Sequence, residues 1–278
     1  CTQVTEQSPS PYCLTVNSSQ MMTLFLQASL IIWVLVTLLW IWSIIIKNVS
    51  IVDIFWGIGF VAVNAFYVFG SGELNPRKTL ILVLVTVWGL RLAGYLAIRN
   101  IGKGEDFRYQ EFRRKYGAER YWWFSYFQTF LLQGVLIMIV SLPLLGISIG
   151  DHSGNLNLLD YFGIFIWLVG FTFEAGGDFQ LSRFRRDPGN KGKVLNRGFW
   201  KYTRHPNYFG DTAVWWAYAL FSIAAGSYWQ ISGSVVMTLL IIRVSGVALL
   251  EKTLNESKPQ YREYIQKTSS FFPWFPKK

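Results

Sequence analysis

Seven long stretches of mostly apolar residues constrain most strongly what this chain can fold into. A helix that crosses a bilayer needs about 20 such residues, and only helices or closed barrels can span lipid. The alternating ten-residue segments of a membrane β-barrel are not found in the sequence. The stretches are 22–46, 51–70, 79–98, 124–147, 158–179, 208–226 and 228–250. The sequence therefore predicts an all-α polytopic membrane protein with seven transmembrane helices.

The composition agrees with a membrane protein. Charged residues make up 15% of the chain and hydrophobic residues 52%, whereas about 25% of an ordinary globular chain is charged. These figures exclude a disordered, collagen-like, coiled-coil or disulfide-rich protein. The first 20 residues are polar and contain no Lys or Arg. We therefore expect a disordered outer tail over 1–21, followed by a single membrane domain over 22–278.

The positions of the basic residues predict the orientation in the membrane. Of the 26 Lys and Arg residues, seven lie in 99–123, eight in 181–207 and six in 252–278. Because cytoplasmic loops are rich in Lys and Arg, the N-terminus is expected outside and the C-terminus in the cytoplasm. This distribution also accounts for the net charge of +10 and argues against nucleic-acid binding. An organelle membrane such as the endoplasmic reticulum and a bacterial inner membrane both remain open.

The two cysteines, Cys1 and Cys13, both fall in the predicted tail. No metal site and no nucleophilic cysteine can be built from them, whereas a disulfide between them in an oxidising compartment stays open. A chain that begins with Cys also suggests that a preceding segment was removed or left unnumbered. Asn17 begins a triplet that fits a glycosylation acceptor on the outer side.

Ionisable residues lie inside or at the ends of the predicted spans, where a charge at the bilayer centre costs about 2.5–3.5 kcal/mol. They are Asp53, Arg91, Glu174, Asp178, Asp211, Arg243 and Glu251. Three pairs lie four residues apart and share a helix face: Arg91 with Tyr95, Glu174 with Asp178, and Asn207 with Asp211. Mutual ion pairing or snorkelling to the interface is the structural alternative. Most of these residues lie near the predicted cytoplasmic ends of their helices. This placement favours one polar cavity that binds a charged, water-soluble ligand. The lipid-facing helices around it suggest that a second, apolar ligand enters from the bilayer.

A basic loop follows the fifth predicted span. Arg183, Arg185 and Arg186 precede a turn over 188–192 that contains two glycines. Guanidinium groups and accessible backbone N–H groups bind phosphate, and a helix that starts near Pro206 favours an anion at its N-terminus. Next to that start, Arg204, His205 and Asn207 are candidate ligand contacts. An ordinary cytoplasmic loop with a Pro-initiated helix and a capping histidine is the structural alternative.

Two blocks in the second half of the chain resemble a known family. They are 176–189 (GGDFQLSRFRRDPG) and 198–211 (GFWKYTRHPNYFGD), and the pattern continues through Glu251, 261–264 (YREY) and 272–276 (FPWFP). They resemble the C-terminal region of the steroid 5-alpha reductases, and are more similar still to an adjoining family of integral-membrane proteins with the same domain. Weaker matches are 53–57, 88–92 and 99–106. The resemblance covers about 51–276, and sterol reductases and isoprenylcysteine methyltransferases carry similar blocks.

The resemblance implies a seven-helix fold that holds NADPH in a cytoplasm-facing cavity and reduces a C=C bond of an enone lipid or steroid-like substrate. The cofactor-binding residues it implies are Asp178, Arg183, Arg186, Asn190, Gly192, Arg197, Tyr202, Arg204, His205, Asn207, Tyr208, Asp211, Arg243 and Glu251. The steroid enzymes hold the substrate carbonyl with a Glu and a Tyr, and here the nearest residues are Asp53, Trp88, Arg91 and Tyr95. We expect Tyr95 or a protonated Asp53 to donate to the substrate oxygen, with Arg91 supporting the developing charge.

Two other functions are consistent with the same fold. One is methyl transfer from S-adenosylmethionine to a lipid-linked acceptor, as in the isoprenylcysteine methyltransferases. The other is a catalytically inactive subunit that keeps the fold and binds partners in a membrane complex. The basic residues between 183 and 204 favour NADPH, because NADPH carries a pyrophosphate and a further phosphate and S-adenosylmethionine carries none.

Overall fold

The computed structural model describes residues 11–100, 102–150, 155–245, 247 and 260–277. Over these residues the chain forms helices and connecting turns, and none of them lies in a strand. The contacts divide the chain into two compact units, residues 1–154 and residues 155–278. The predicted all-α class is therefore confirmed for the described residues, and each unit has its own packed interior.

The part of the first unit that the structure describes forms six helices. They are α1 (Pro11–Ile45), α2 (Ile51–Gly70), α3 (Pro76–Asn100), α4 (Phe107–Tyr116), α5 (Ala118–Val140, with a π-helical turn at Tyr126–Leu131) and α6 (Leu142–Ile149). Helix α1 begins at Pro11, so it reaches into the segment predicted to be a disordered tail. Proline suits a first helical turn, and no glycine interrupts the chain between it and the apolar stretch. Residues 1–10, with Cys1, lie outside the described residues.

The described residues of the second unit form two long α-helices and two short ones. They are α7 (Leu158–Arg186), α8 (Pro206–Ala224), α9 (Ser232–Leu239, continuing as a π-helical segment over Leu240–Ser245) and α10 (Gln260–Lys267). Helix α7 starts with a capping box, in which the Asn157 side chain accepts from the Asp160 backbone and the Asp160 side chain accepts from the Asn157 backbone. Helix α8 starts with Pro206 at its first position, as predicted.

Among the described residues, five helices are long and apolar enough to cross a membrane: Ser18–Ile45, Ile51–Gly70, Pro76–Asn100, Ala118–Val140 and Leu158–Arg186. They correspond to the first five predicted spans. Large apolar side chains are exposed along them, among them Leu26, Val83, Val135 and Phe165. Water would not favour so many exposed apolar groups, whereas lipid covers them. The chain is a membrane protein.

The sixth and seventh predicted spans are shorter or less apolar than these five. Helix α8 has 19 residues and includes Asp211, Asn207 and several Trp and Tyr residues. The apolar helical stretch at the seventh position runs over Trp229–Val244, and the predicted end of that span at 250 lies outside the described residues. The count of seven spans and the orientation therefore stay predictions.

Candidate functional site

Helices α7 and α8 touch along their backbones. A Cβ atom on Gly170 would lie 2.7 Å from the Gly210 carbonyl oxygen, and one on Gly210 would overlap the backbone of Glu174. Closer to the end of α7, a Cβ on Gly177 would lie 3.1 Å from the backbone nitrogen of Asn207. Small residues are what allow membrane helices to approach this closely. The polar residues next to these glycines are therefore held in place by two rigid helices.

A polar cluster lies beside this crossing, at the start of α8. Asn207 Nδ2 donates to Asp178 Oδ1 over 3.1 Å, and Glu174, one turn before Asp178, is 3% exposed. The His205 ring is 2% exposed and stacks on Tyr208 with centroids 5.7 Å apart. We call Glu174, Asp178, His205, Asn207 and Asp211 the acid–amide cluster. All except Glu174 are predicted cofactor residues, and a hydrogen bond joins two of these four, Asp178 and Asn207.

The basic loop folds back against the end of α7. Asp187 Oδ1 accepts from the Gly189 backbone over 2.9 Å, and Asn190 Nδ2 donates to the Phe184 carbonyl over 3.1 Å. Gly192 has φ +81°, a conformation that favours glycine. Because the Asn190 amide nitrogen also donates to Asp187, this side chain shapes the loop, and its predicted contact with a cofactor loses support.

The basic side chains of this segment are all exposed. They are Arg183, Arg185, Arg186, Lys191, Lys193, Arg197 and Lys201. This arrangement leaves a dense positive charge on the solvent side of the loop. Exposed guanidinium and ammonium groups at this density are suited to phosphate groups.

Arg204 makes contacts with the C-terminal segment that the sequence did not predict, and its role as a cofactor ligand stays a prediction. Its side chain is 7% exposed, and Nη1 donates to the carbonyl oxygens of Ile265 at 2.9 Å and Thr268 at 3.1 Å. Its backbone nitrogen donates to the Ser269 carbonyl over 2.9 Å. A cation at the end of α10 also interacts favourably with the helix dipole. Arg204 therefore fastens the C-terminal segment 260–277 to the start of α8.

Further contacts hold the same segment. Thr203 Oγ1 donates to the Phe271 carbonyl over 2.8 Å, and the Trp274 backbone donates to the Tyr202 carbonyl over 2.9 Å. The Tyr264 hydroxyl donates to the Trp200 carbonyl. Burial of this hydroxyl raises the pKa of Tyr264, so it remains a donor at neutral pH. Tyr202 thus contributes its carbonyl to the packing, while its ring is 37% exposed.

Two predicted residues lie beside or within the gaps in the described residues between 245 and 260. Arg243 is exposed within the π-helical segment Leu240–Ser245. Glu251 lies outside the described residues. A cofactor role for either residue stays a prediction.

In the first unit, Asp53 is bound on both oxygens. The Tyr109 hydroxyl donates to Oδ1 over 2.8 Å, and Arg108 Nη2 donates to Oδ2 over 2.9 Å. Arg108 also forms an ion pair with Asp106 at 2.9 Å. Both carboxyl oxygens of Asp53 therefore accept hydrogen bonds within the first unit, and donation from a protonated Asp53 to a substrate stays a prediction.

The pKa values around Asp53 follow from burial and charge. Burial raises the pKa of Tyr109, and the nearby Asp53 charge raises it further. Burial alone would raise the pKa of Asp106, but the hydrogen bonds and charge of Arg108 outweigh it and lower this pKa. Tyr109 is therefore a stable donor and Asp106 a stable anion at neutral pH. The sequence contained no signal that assigned Arg108 and Tyr109 to Asp53, because 55 and 56 residues separate them.

Helices α2 and α3 cross one turn from Asp53. A Cβ on Gly89 would lie 2.6 Å from the Gly57 carbonyl oxygen, so these helices also meet backbone to backbone. Arg91 lies two residues beyond Gly89 on α3, and Tyr95 lies one turn further on. The guanidinium of Arg99 lies 5.9 Å from the centre of the Tyr95 ring. Arg91 and Tyr95 are both half-buried, and their catalytic roles stay predictions.

Trp88 belongs to the packing of the same crossing. It is fully buried, and its ring lies 5.8 Å from that of Phe60. An indole enclosed in this way contributes packing rather than contact with a substrate. The roles predicted for Asp53, Arg91 and Tyr95 near the substrate carbonyl therefore stay predictions.

The fold and these clusters define a helical membrane protein with polar groups fixed beside close helix crossings. The family model described as "Protein of unknown function (DUF1295)" matches residues 39–268. The chain belongs to this family, which is related to the steroid 5-alpha reductases. The relationship predicted from the sequence blocks is therefore confirmed.

Two curated relatives are similar to the chain. One is "Uncharacterized protein C594.04c" of Schizosaccharomyces pombe, 25% identical over 273 residues, which cover 90% of this chain and 79% of the relative. The other is 3-oxo-5-alpha-steroid 4-dehydrogenase 1 of Macaca fascicularis, 30% identical over 110 residues, which cover 39% of this chain and 36% of that enzyme. No solved structure matches the chain significantly.

Proposed function

We propose that this chain is a membrane-embedded, NADPH-dependent reductase that transfers hydride to a C=C bond of an enone lipid or steroid-like substrate. The observation that carries the proposal is the acid–amide cluster at the start of α8, with the exposed basic loop on the same α7–α8 pair. Similarity to a 3-oxo-5-alpha-steroid 4-dehydrogenase over 110 residues supports the same class of reaction. Both features support cofactor binding as well as packing.

The residues of the second unit fit NADPH. Exposed Arg183, Arg186 and Arg197 offer guanidinium groups for the pyrophosphate and the additional phosphate. The pair of buried Asp178 and half-buried Asn207 offers a carboxylate and an amide for ribose hydroxyls or the nicotinamide amide. Arg204 Nη1 is bonded to the C-terminal carbonyls, so the proposal does not depend on Arg204 as a phosphate ligand. S-adenosylmethionine, which has no phosphate, would make no use of the exposed cations.

The chemistry divides between cofactor and protein. When bound, NADPH supplies the hydride. The protein then has to stabilise negative charge on the carbonyl oxygen of the enone, and the Tyr95 hydroxyl is the proposed donor, with Arg91 supporting the charge. Asp53, held by Arg108 and Tyr109, positions the start of α2.

The proposal retains seven spans with the N-terminus outside. In this orientation the basic loop and the C-terminal segment lie in the cytoplasm, where NADPH is available. Helix α8 and the stretch Trp229–Val244 would be the sixth and seventh spans. A substrate that is a lipid would then reach the protein from the bilayer.

Replacing Arg186 with glutamine is expected to weaken NADPH binding. Loss of a charge-assisted hydrogen bond is worth about 1.5 kcal/mol, or about tenfold in the dissociation constant. Calorimetric titration of the purified protein with NADPH measures it. Arg185→Gln is the matched control, because Arg185 is exposed on the same turn of α7 and is not a predicted contact.

Thermal unfolding with each cofactor separates the rival functions. NADPH should raise the unfolding midpoint of the wild-type protein and S-adenosylmethionine should leave it unchanged. Stabilisation by S-adenosylmethionine alone would assign a methyltransferase. If the protein binds NADPH but does not oxidise it in the presence of any compound in a broad panel of enones, the result would favour an inactive subunit.

The Tyr95→Phe variant is expected to slow reduction about tenfold, since one hydrogen bond to the developing charge is lost. NADPH affinity should not change. The measurement is NADPH oxidation with a panel of enone lipids. Tyr228→Phe, at an exposed tyrosine, serves as the control and should keep wild-type turnover. Undiminished activity in an Asp53→Ala/Tyr95→Phe double variant would overturn the assignment of this region to the substrate.

A further inference from the structure

A cavity of about 220 Å³ lies in the first unit, where α1 ends and α5 begins. Lys47, Arg113, Tyr121 and Trp122 are among the residues that line it. We call it the Lys47 cavity. None of its residues belongs to the proposed cofactor or substrate groups, so its role has to be explained separately.

The Lys47 cavity lies at a membrane boundary. The candidate span Ser18–Ile45 ends two residues before Lys47, and the span Ala118–Val140 begins three residues before Tyr121. Trp40 Nε1 donates to the Trp122 carbonyl over 2.8 Å and so ties the two helices together. Ile45 and Trp122 remain 64% and 52% exposed. Exposed apolar and indole groups at the end of a span are suited to the interface between lipid tails and headgroups.

The cavity carries excess positive charge. Arg113 Nε and Nη2 donate to the two oxygens of Glu105, at 3.1 and 2.9 Å, which leaves Nη1 for another acceptor. Among the described residues, no carboxylate forms an ion pair with Lys47. Glu105 thus neutralises one of the two cations, and the Lys47 ammonium supplies the excess charge.

Lys47 occupies a backbone position that favours glycine. Its φ is +52°, and it is the one non-glycine residue with positive φ in the described part of the chain. The Asn48 backbone donates to the Ser43 carbonyl over 3.0 Å and the Lys47 backbone donates to the Ile44 carbonyl over 3.2 Å. These two bonds form the helix ending that usually has glycine at this position. A lysine at this φ strains the backbone, whereas a glycine would not. We therefore look for a function of the Lys47 side chain that offsets this strain.

The loop that carries Lys47 is held rigidly. The Val49 backbone donates to Glu105 Oε1 over 3.0 Å, the same carboxylate that binds Arg113. The Asp106 backbone donates to Ser50 Oγ over 2.7 Å. Both cations at the cavity are therefore attached to one network, and a ligand would meet them without ordering the loop first.

We infer that the Lys47 cavity binds the phosphate of an anionic phospholipid headgroup. Lys47 Nζ and Arg113 Nη1 bind the phosphate oxygens, and Trp122 lies against the glycerol and upper acyl chain. The exposed apolar side chains beside the cavity assign the ligand to the bilayer rather than to free phosphate. The ligand is distinct from the substrate of the proposed reductase.

The test uses the full chain in detergent, titrated with short-chain phosphatidylglycerol, short-chain phosphatidylcholine or inorganic phosphate. The key variant is Lys47→Gly, which removes the ammonium and also relieves the backbone. We expect its affinity for phosphatidylglycerol to fall about fivefold, the effect of one basic residue at an anionic surface. Its thermal unfolding midpoint without lipid should equal or exceed that of the wild type, because glycine suits φ +52°. Lys47→Arg should retain the affinity.

Lys103→Gln is the matched control, because Lys103 is an exposed lysine of the same unit outside the cavity. It should bind phosphatidylglycerol as the wild type does. Three results would each overturn the inference: unchanged affinity in Lys47→Gly, an equal loss in Lys103→Gln, or equally tight binding of phosphatidylcholine. Tight binding of inorganic phosphate alone would show a free-anion site and overturn it as well.

Discussion

Replacing Gly210 with valine is expected to lower the thermal unfolding midpoint by about 6–12 °C, because an overpacked position costs about 3 kcal/mol. The added Cβ would overlap the backbone of Glu174 and the carbonyl oxygen of Gly170. Backbone atoms of a helix cannot rotate aside as a flexible side chain can, so α7 and α8 would have to separate. Separation would also break the hydrogen bond between Asn207 and Asp178, and NADPH should no longer stabilise the protein.

Gly94→Ala provides the matched control for this prediction. Gly94 is an exposed residue of α3, and a Cβ placed on it meets nothing within 4 Å. Alanine is favoured over glycine in a helix by about 1 kcal/mol, so the unfolding midpoint should stay the same or rise slightly. A wild-type midpoint for Gly210→Val would mean that α7 and α8 do not meet along their backbones.

Replacing Arg204 with alanine is expected to release the C-terminal segment 260–277. The change leaves the part-buried carbonyl of Ile265 and the buried carbonyl of Thr268 without their charged donor. An unsatisfied buried group costs about 1–3 kcal/mol. We therefore expect local opening to become easier by about 2 kcal/mol, which is about thirtyfold in the amide hydrogen exchange of this segment. Exchange followed by mass spectrometry measures it.

Arg197→Ala distinguishes this structural role from ligand binding. Arg197 is exposed in the same loop and has the same charge, so its removal should weaken NADPH binding and leave the exchange of 260–277 unchanged. If Arg204→Ala instead kept the segment protected and weakened NADPH binding, Arg204 would be the cofactor ligand that the sequence blocks implied.

The apolar stretches predicted the helices well because the hydropathy of a lipid-facing helix depends only on residues that are neighbours in the sequence. The span predicted over 51–70 has the bounds of α2, Ile51–Gly70, and four other candidate spans match predicted ones. The stretch that predicted α8 as a span is shorter and is interrupted by Asp211. The predicted count of seven transmembrane helices therefore stays a prediction. Helix α1 reaches Pro11 because no residue between 12 and 21 stops a helix that starts from the apolar stretch.

At the candidate site, the sequence pattern predicted some contacts and could not predict others. Asn207 and Asp178 were predicted together, and they form a hydrogen bond. Arg204, in the same block, bonds to carbonyls more than 60 residues away. An arginine in a basic loop has the same sequence signature whether its acceptor is a phosphate or a backbone carbonyl. The choice depends on which distant segment packs against it.

From the sequence alone it follows that the chain crosses a membrane as helices and belongs near the steroid 5-alpha reductases, because hydropathy and motif blocks are properties of neighbouring residues. The tertiary structure decided which polar side chains are already engaged. Asp53 is bound by Arg108 and Tyr109, Arg204 fastens the C-terminal segment, and Lys47 lines a cavity. Hydrogen bonds between residues 50 or more positions apart form only after the helices have packed, so no local pattern could assign them.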